Sequence, residues 1–155
     1  MQMLQPGDRA PDLQLPDQDG RSVRLSDLIA KGPVVVYFYP KDDTPVCTKE
    51  ACTFRDAQEE FVGLEASIVG ISDDDPGSHK RFAEKHGLPY TLLSDEKGEA
   101  RSAFGLRSFL GLKDRATFVI GQDGRVRSVI RDRLNARKHV REALAALRDQ
   151  GLTRS

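Results

Sequence analysis

The sequence lacks an excess of charge of either sign, since its 155 residues include 24 lysines and arginines and 24 aspartates and glutamates. Proteins that bind nucleic acid or an anionic membrane through charge carry a positive surplus, which this chain does not have. We therefore expect neither nucleic acid nor membrane among its partners. Small, uncharged molecules suit its composition better.

Long hydrophobic runs are also missing. No window approaches the roughly 20 apolar residues of a membrane-spanning helix, and the first ten residues lack the charged and apolar blocks of a signal peptide. A cytoplasmic location is therefore expected. The sequence shows no Gly-rich phosphate loop, internal repeat or linker, and its length suits one domain over residues 1–155.

Cysteine is scarce, because only Cys47 and Cys52 are present. In the reducing cytoplasm two cysteines seldom form a permanent cross-link, which favours a transient catalytic disulfide. The C-x2-C pattern of disulfide reductases is absent. The C-x4-C spacing also permits a zinc site with His79 and His86 as further ligands. A packing histidine and a helix-end histidine are the simpler interpretations of these two residues.

Both cysteines follow a strongly apolar segment. Residues 34–39 are β-branched or aromatic without polar alternation, which predicts a strand buried on both faces. Pro40 ends this strand, and helical spacing then begins at Cys47. In a first helical turn, unpaired N–H groups and the helix dipole favour a thiolate over a thiol. Cys47 is thus a candidate nucleophile, with a small buried hydrophobic residue as the alternative.

The remaining pattern alternates strands and helices. The predicted elements are a hairpin of residues 13–15 and 23–25, a buried strand at 67–72, a helix from Pro76 to Gly87, a short strand at 91–93, a hairpin of 117–120 and 126–130, and a final helix capped by Asn135. A loose tail is expected over residues 151–155. This order predicts an α/β fold with a mixed central sheet, helices on both faces and an N-terminal β-hairpin.

Pro40, Thr44 and Cys47 match Pro-x3-Thr-x2-Cys, the pattern of peroxiredoxin active sites, and Cys52 resembles the second cysteine of the Q-type branch, also called bacterioferritin comigratory proteins. The similarity covers nearly the whole chain. The segments that carry it lie at residues 37–40, 47–52, 87–89, 92–95 and 115–120. The resemblance implies a thioredoxin-like fold.

The resemblance also implies a thiol peroxidase that reduces hydrogen peroxide and organic hydroperoxides. Cys47 would become a sulfenic acid, and Cys52 would resolve it as an intramolecular disulfide. Thioredoxin or a glutaredoxin-like protein would then reduce the disulfide. The family requires no metal or organic cofactor, and we expect a monomer, with a dimer as the alternative. A peroxide-responsive redox sensor and a one-cysteine peroxidase with a structural Cys52 stay open.

The same resemblance assigns further residues to the site. Thr44 would supply a hydroxyl, Pro40 would shield the sulfur, and Arg115 matches the family's active-site arginine. Without the resemblance, Arg115 is interpreted as a solvated charge at a strand end. Val46 stands where the family carries glycine, which alters the shape of the peroxide pocket.

Glu50 follows Cys47 by three residues, so the two can be neighbours on a helix. It is either a surface charge or a group beside the thiolate. A carboxylate there opposes the thiolate unless a cation balances it, and Lys41, Lys49 and Arg115 are the available cations. The acidic residues 73–75 are a further candidate, either for a divalent ion or as a solvated loop.

Overall fold

The computed structural model describes residues 3–106, 108–109, 112–113 and 115–153. In chain order its elements are β1 (Gln14–Pro16), β2 (Ser22–Arg24), α1 (Leu25–Lys31), β3 (Val34–Phe38), α2 (Pro45–Asp56), α3 (Gln58–Gly63), β4 (Ser67–Ser72), α4 (Pro76–His86), β5 (Thr91–Ser94), α5 (Glu99–Ala103), β6 (Ser108–Phe109), β7 (Leu112–Lys113), β8 (Ala116–Ile120), β9 (Val126–Arg131) and α6 (Ala136–Thr153).

The central sheet has five strands in the order β5-β4-β3-β8-β9. β3, β4 and β5 run parallel, whereas β8 is antiparallel to β3 and β9 is antiparallel to β8. The parallel strands are joined by crossover helices, and the antiparallel pair β8-β9 is joined by a tight turn. The predicted mixed sheet is therefore confirmed.

Strand β3 shows why its sequence contains no polar alternation. Val35 and Tyr37 belong to an apolar cluster that includes buried residues of α2, α3, α4 and α6. Val34, Val36 and Phe38 belong to a second cluster, which includes residues of α1 and α5. Because successive side chains of a strand point to opposite faces, helices on both faces of the sheet require apolar residues at every position.

The N-terminal hairpin forms as predicted, with its first strand one residue later and its second strand one residue earlier than expected. Gln14 pairs with Arg24 and Leu15 with Val23. The chain then enters α1 directly at Leu25, whose N–H donates to the carbonyl of Leu13 (2.8 Å).

The loose tail predicted over residues 151–155 is wrong for residues 151–153. Helix α6 continues through Gly151 to Thr153, and residues 154–155 lie outside the described residues. One glycine near a helix end costs only about 1 kcal/mol relative to alanine, which is too little to end a long helix. Among the helices of the described ranges, none combines the length and the apolar character needed to cross a membrane.

Candidate active site around Cys47

Cys47 lies buried in the first turn of α2. Thr44 is the N-cap residue in an extended conformation, and Pro45 occupies the first helical position, where its missing N–H costs nothing. The first hydrogen bond of the helix runs from the N–H of Thr48 to the carbonyl of Thr44 (2.8 Å). The N–H groups of Val46 and Cys47 therefore stay outside the helical ladder, at the positive end of the helix dipole.

Thr44 does not use its hydroxyl to cap the helix. Its Oγ1 donates to the carbonyl of Lys41 (3.0 Å), which leaves the oxygen lone pairs to accept a hydrogen bond. A hydroxyl fixed in this way can accept from the O–H of a substrate just ahead of Cys47.

Arg115 reaches the cysteine because of the register between two strands. Ala116 at the start of β8 pairs with Phe38 at the end of β3, so Arg115 lies beside the point where the chain leaves β3 for α2. Its Nη2 donates to the sulfur of Cys47 (3.1 Å), and its side chain is buried. The interpretation of Arg115 as a solvated strand-end charge is therefore wrong.

Glu50 is fully buried, so the alternative of a surface charge on α2 is also wrong. Its Oε1 accepts a hydrogen bond from Nη1 of Arg115, so the one guanidinium contacts both Glu50 and Cys47. Burial raises the pKa of the Glu50 carboxyl from its ordinary value of 4.5 to about 7, although the Arg115 charge opposes this shift. Lys41 and Lys49, the other candidate cations, are exposed.

The loop between β3 and α2 is anchored through Asp42. One carboxylate oxygen of Asp42 accepts from the hydroxyl of Tyr39 (2.5 Å), and the other lies 2.7 Å from Nδ1 of His79 and 2.8 Å from the hydroxyl of Ser78. The Nε2 of His79 lies 3.0 Å from the carbonyl of Leu93. His79 is fully buried. It does more than pack, because its hydrogen bonds tie the loop to α4 and β5.

The acidic run 73–75 also has structural partners. The Oδ2 of Asp74 accepts from the N–H of Asp42 (2.8 Å) and the hydroxyl of Ser72 (2.6 Å), while Asp75 caps helix α4 through the N–H of Ser78 (2.7 Å). Asp73 and Asp75 are exposed, as expected of a solvated loop, whereas Asp74 is half-buried and fixes the chain together with Asp75.

Metal ligation by the cysteines finds no support in the part of the chain that the structure describes. There, the cluster with suitably close ligand atoms consists of Asp42, Asp74 and His79, and it includes neither cysteine. His86, the other proposed zinc ligand, lies in the last turn of α4 with Nε2 3.4 Å from Asp43.

Cys52 is half-buried in the middle of α2, and both cysteines are unpaired thiols. Helix α2 is continuous across the interval between them. Residues five apart in an α-helix have Cα atoms roughly 8.6 Å apart, which exceeds the limit of about 7 Å for a disulfide. The two cysteines therefore cannot form a disulfide while α2 keeps this conformation. Pro40 and Val46 are half-buried on either side of the loop and helix start.

His139 and Thr117 are the buried polar neighbours that sequence reasoning missed. The Nδ1 of His139 lies 2.7 Å from Oγ1 of Thr117 and 3.6 Å from Oε2 of Glu50. A signal was present, because His139 shares the apolar face of the final helix with Val140 and Ala143.

Comparison with known proteins agrees with this geometry. The sequence model of the AhpC/TSA family matches residues 6–129. The chloroplast peroxiredoxin Q of Gentiana triflora is 47% identical over 143 residues, which are 91% of this chain and 65% of that protein. The chain therefore spans just under two thirds of this relative's length, and 66% of its counterpart from Suaeda salsa.

Solved structures extend the likeness to the fold. Peroxidoxin BcpB from Mycobacterium tuberculosis superposes with a TM-score of 0.89 at 45% identity, over 94% of this chain and 97% of that one. The bacterioferritin comigratory protein of Xanthomonas campestris, studied for its alkyl peroxide reduction, gives 0.79 at 32% identity, over 89% and 91% of the two chains. The predicted thioredoxin-like fold is confirmed, and the chain belongs to the AhpC/TSA family as a peroxiredoxin of the Q type.

Proposed function

We propose that the protein is a thiol-dependent peroxidase in which Cys47 reduces hydrogen peroxide and organic hydroperoxides. The observation that carries the proposal is the contact between the Cys47 sulfur at a helix N-terminus and the buried guanidinium of Arg115. The N-terminus of α2 and the Arg115 guanidinium both make the electrostatic potential at this sulfur more positive. Membership of the family supports the same assignment.

The first step is the attack of the Cys47 thiolate on the terminal oxygen of the peroxide. The S–O bond forms as the O–O bond breaks, so that sulfur is oxidised to a sulfenic acid and the other oxygen leaves as hydroxide or alkoxide. That oxygen takes up a proton and departs as water or an alcohol. Arg115 and the N–H groups of Val46 and Cys47 would stabilise the charge as it moves from sulfur to the leaving oxygen.

Ionisation of the sulfur alone cannot account for a fast peroxidase. An unperturbed thiol, with a pKa of about 8.5, is about 3% ionised at neutral pH, so full ionisation raises the reactive fraction only about 30-fold. Further acceleration must come from positioning the peroxide and from donors already directed at the shifting charge, each worth about 100-fold or more. Thr44 and Arg115 are the side chains we assign to these roles, and Pro40 would shield the sulfur.

The second step is resolution by Cys52. Its thiol attacks the sulfenic acid sulfur, and a disulfide forms with release of water. Because α2 is continuous from Pro45 to Asp56, the turn between the cysteines must unwind before the sulfur atoms can meet. A dithiol protein, thioredoxin or a glutaredoxin-like one, then reduces the disulfide and becomes oxidised itself.

Two further assignments concern the oligomeric state and the cellular location of the protein. We propose that the protein works as a monomer in the cytoplasm, although relatives such as that of Gentiana triflora are named as chloroplast proteins. Fractionation and sedimentation of the native protein test these two assignments.

Peroxide consumption coupled to thioredoxin, thioredoxin reductase and NADPH tests the function. We expect many turnovers per chain with the wild type and none with Cys47→Ser. Cys52→Ser should react once and then depend on a reductant that attacks Cys47 directly. A single slow, stoichiometric oxidation of the wild type would instead indicate a redox sensor, and full turnover of Cys52→Ser with thioredoxin would indicate a one-cysteine peroxidase.

A further inference from the structure

The hydrogen bonds of His139 define which of its nitrogens carries a proton. Nε2 lies 2.8 Å from the carbonyl oxygen of Asp132, and because a carbonyl only accepts, Nε2 must donate. In a neutral imidazole Nδ1 is then an acceptor, and the hydroxyl of Thr117, at 2.7 Å, is its donor. His139 thus directs a basic nitrogen towards the site of Cys47 and Arg115.

The second oxygen of Glu50 faces that nitrogen. Oε1 of Glu50 accepts from Arg115, but Oε2 is buried without a hydrogen-bond partner among the described residues and lies 3.6 Å from Nδ1 of His139. The Glu50 and His139 side chains are both fully buried. A buried carboxylate oxygen without a donor is costly, and a proton on Oε2, or on Nδ1 in place of the bond from Thr117, would remove that cost.

The charges around Glu50 favour such a proton. A Cys47 thiolate and a Glu50 carboxylate together carry two negative charges, which Arg115 alone cannot neutralise. The nearby phenols of Tyr37 and Tyr90 add no charge, since burial raises the pKa of each of them.

On the far side of His139, Asp132 and Glu142 favour a proton on the ring. Burial nevertheless lowers the pKa of His139, and the Arg115 charge also lowers it, whereas burial raises the pKa of Glu50 to about 7. Both shifts disfavour separate charges on the two groups. They agree with one proton on the pair up to about pH 7, where it begins to be lost, and they disfavour two.

We propose that Glu50 and His139 hold one proton between them, and that His139 is thereby a positioning residue that keeps Arg115 directed at Cys47 during peroxide attack. While the pair holds its proton, the guanidinium serves the thiolate and the leaving oxygen. When the pair loses it, the Glu50 carboxylate competes for Arg115 and adds a negative charge beside the sulfur. The kinetic part of this inference rests on the proposed peroxidase function.

The pH dependence of Cys47 oxidation separates this role from a structural one. Stopped-flow rate constants for hydrogen peroxide should fall as pH rises through the ionisation of the pair, and Glu50→Gln should lack this fall. His139→Gln can still donate to the Asp132 carbonyl, but glutamine cannot share a proton with Glu50. The fall in its rate constant should therefore occur at a pH about one unit lower than in the wild type, the size of coupling expected between interacting sites. Thr117→Val removes the competing donor to Nδ1, so its fall should move up.

A fall at one and the same pH in the wild type, His139→Gln and Thr117→Val would overturn the inference, even if the variants were slower at every pH. The opposite shifts in the two variants are not expected of a residue that only packs.

Infrared titration of the reduced protein provides a readout that needs no peroxide. The wild type should show the C=O stretching band of a buried carboxylic acid, absent in Glu50→Gln and lost at lower pH in His139→Gln. The inference would be overturned if the wild type lacked that band at every pH where the protein is folded, and if nitrogen NMR also showed Nδ1 of His139 without a proton. A protein with the shared proton but no peroxidase turnover would refute the proposed function instead.

Discussion

Arg115 is the residue on which the charge balance of the site depends, because one guanidinium contacts both the Cys47 sulfur and the Glu50 carboxyl. In a buried setting such contacts are stronger than at the surface. Among the described residues, no other lysine or arginine of the site can replace Arg115. We therefore expect substitution of Arg115 to slow the oxidation of Cys47 by more than a loss of folded protein would explain.

We expect Arg115→Ala to slow the oxidation of Cys47 by about 100-fold or more, through lost stabilisation of the shifting charge. Arg115→Lys should recover only part of the rate, because an ammonium lacks the planar fork that serves two partners. Stopped-flow measurement of the first oxidation step checks this. Arg127→Ala is the matched control, since Arg127 pairs with Asp123 at the surface. An unchanged rate in Arg115→Ala would contradict the assignment.

Val46 gives a second prediction at this scale, because the related family carries glycine at the position before the nucleophile. A half-buried valine at the helix start adds apolar surface worth about 1 to 2 kcal/mol at most. Val46→Gly should lower the ratio of the cumene hydroperoxide rate to the hydrogen peroxide rate by up to about 30-fold. Val46→Ala controls for the helix-weakening effect of glycine. A ratio that stays the same in both variants would rule out this role.

Helix α2 must be stable enough to hold the site together during peroxide attack. It must also be unstable enough to unwind when the disulfide forms. Peroxide attack uses the folded first turn, whereas disulfide formation requires residues 48–51 to leave the helix. The turn is held from outside by Tyr90, whose hydroxyl donates to the carbonyl of Ala51 (2.8 Å) and lies 2.8 Å from that of Tyr37. Unwinding must break or bypass this contact.

Backbone hydrogen exchange should therefore rise across residues 48–54 on oxidation, while strand β3 stays protected. Tyr90→Phe should raise exchange in the same segment of the reduced protein, because it removes the donor to Ala51; it also removes the hydroxyl partner of Tyr37 in β3. Mass spectrometry of exchanged peptides measures both effects. Equal protection of residues 48–54 in the two redox states, with the disulfide verified by mass, would contradict local unwinding.

For the whole molecule, the raised pKa of Glu50 makes stability depend on pH. Its carboxyl binds a proton more tightly in the folded state, so the associated stability is fully present below about pH 4.5 and is lost as pH rises through about 7. At about 1.4 kcal/mol per pKa unit, the shift from 4.5 to about 7 corresponds to about 3 kcal/mol in the free energy of unfolding.

The free energy of unfolding of the wild type, measured by urea titration, should accordingly fall relative to that of Glu50→Gln by about 2 to 3 kcal/mol between about pH 4.5 and pH 8. The comparison with the variant removes the contributions of other titrating groups. If the difference between the two proteins were constant over this range, Glu50 would have no raised pKa in the folded state.

The parts of the molecule that depend on local pattern could be predicted from sequence. Strand β3, the start of α2 and the mixed sheet follow from apolar runs, turn residues and periodicity, and the Thr44 to Cys47 motif is local as well. The contact of Arg115 with Cys47 joins residues 68 positions apart, so only the family resemblance pointed to it. Their catalytic roles stay predictions.

Long-range polar contacts were beyond sequence reasoning. Asp42 and His79 meet across 37 positions and anchor the loop, but nothing in the local pattern pairs them. In the sequence His139 belongs to an apolar helix face, and only the folded structure brings Glu50 of α2 and Thr117 of β8 against it. Whether a buried polar group is paired depends on register and packing across the whole fold, which residue patterns do not encode directly.

Intact-mass analysis after one equivalent of hydrogen peroxide tests the central claim, that Cys47 is oxidised and Cys52 resolves it within one chain. The wild type should lose the mass of two hydrogen atoms and stay a single chain, Cys52→Ser should gain one oxygen atom on Cys47, and Cys47→Ser should be unchanged. A wild type that retains oxygen on Cys47, or that forms a disulfide between two chains, would contradict the account, as would oxidation of Cys47→Ser at the wild-type rate.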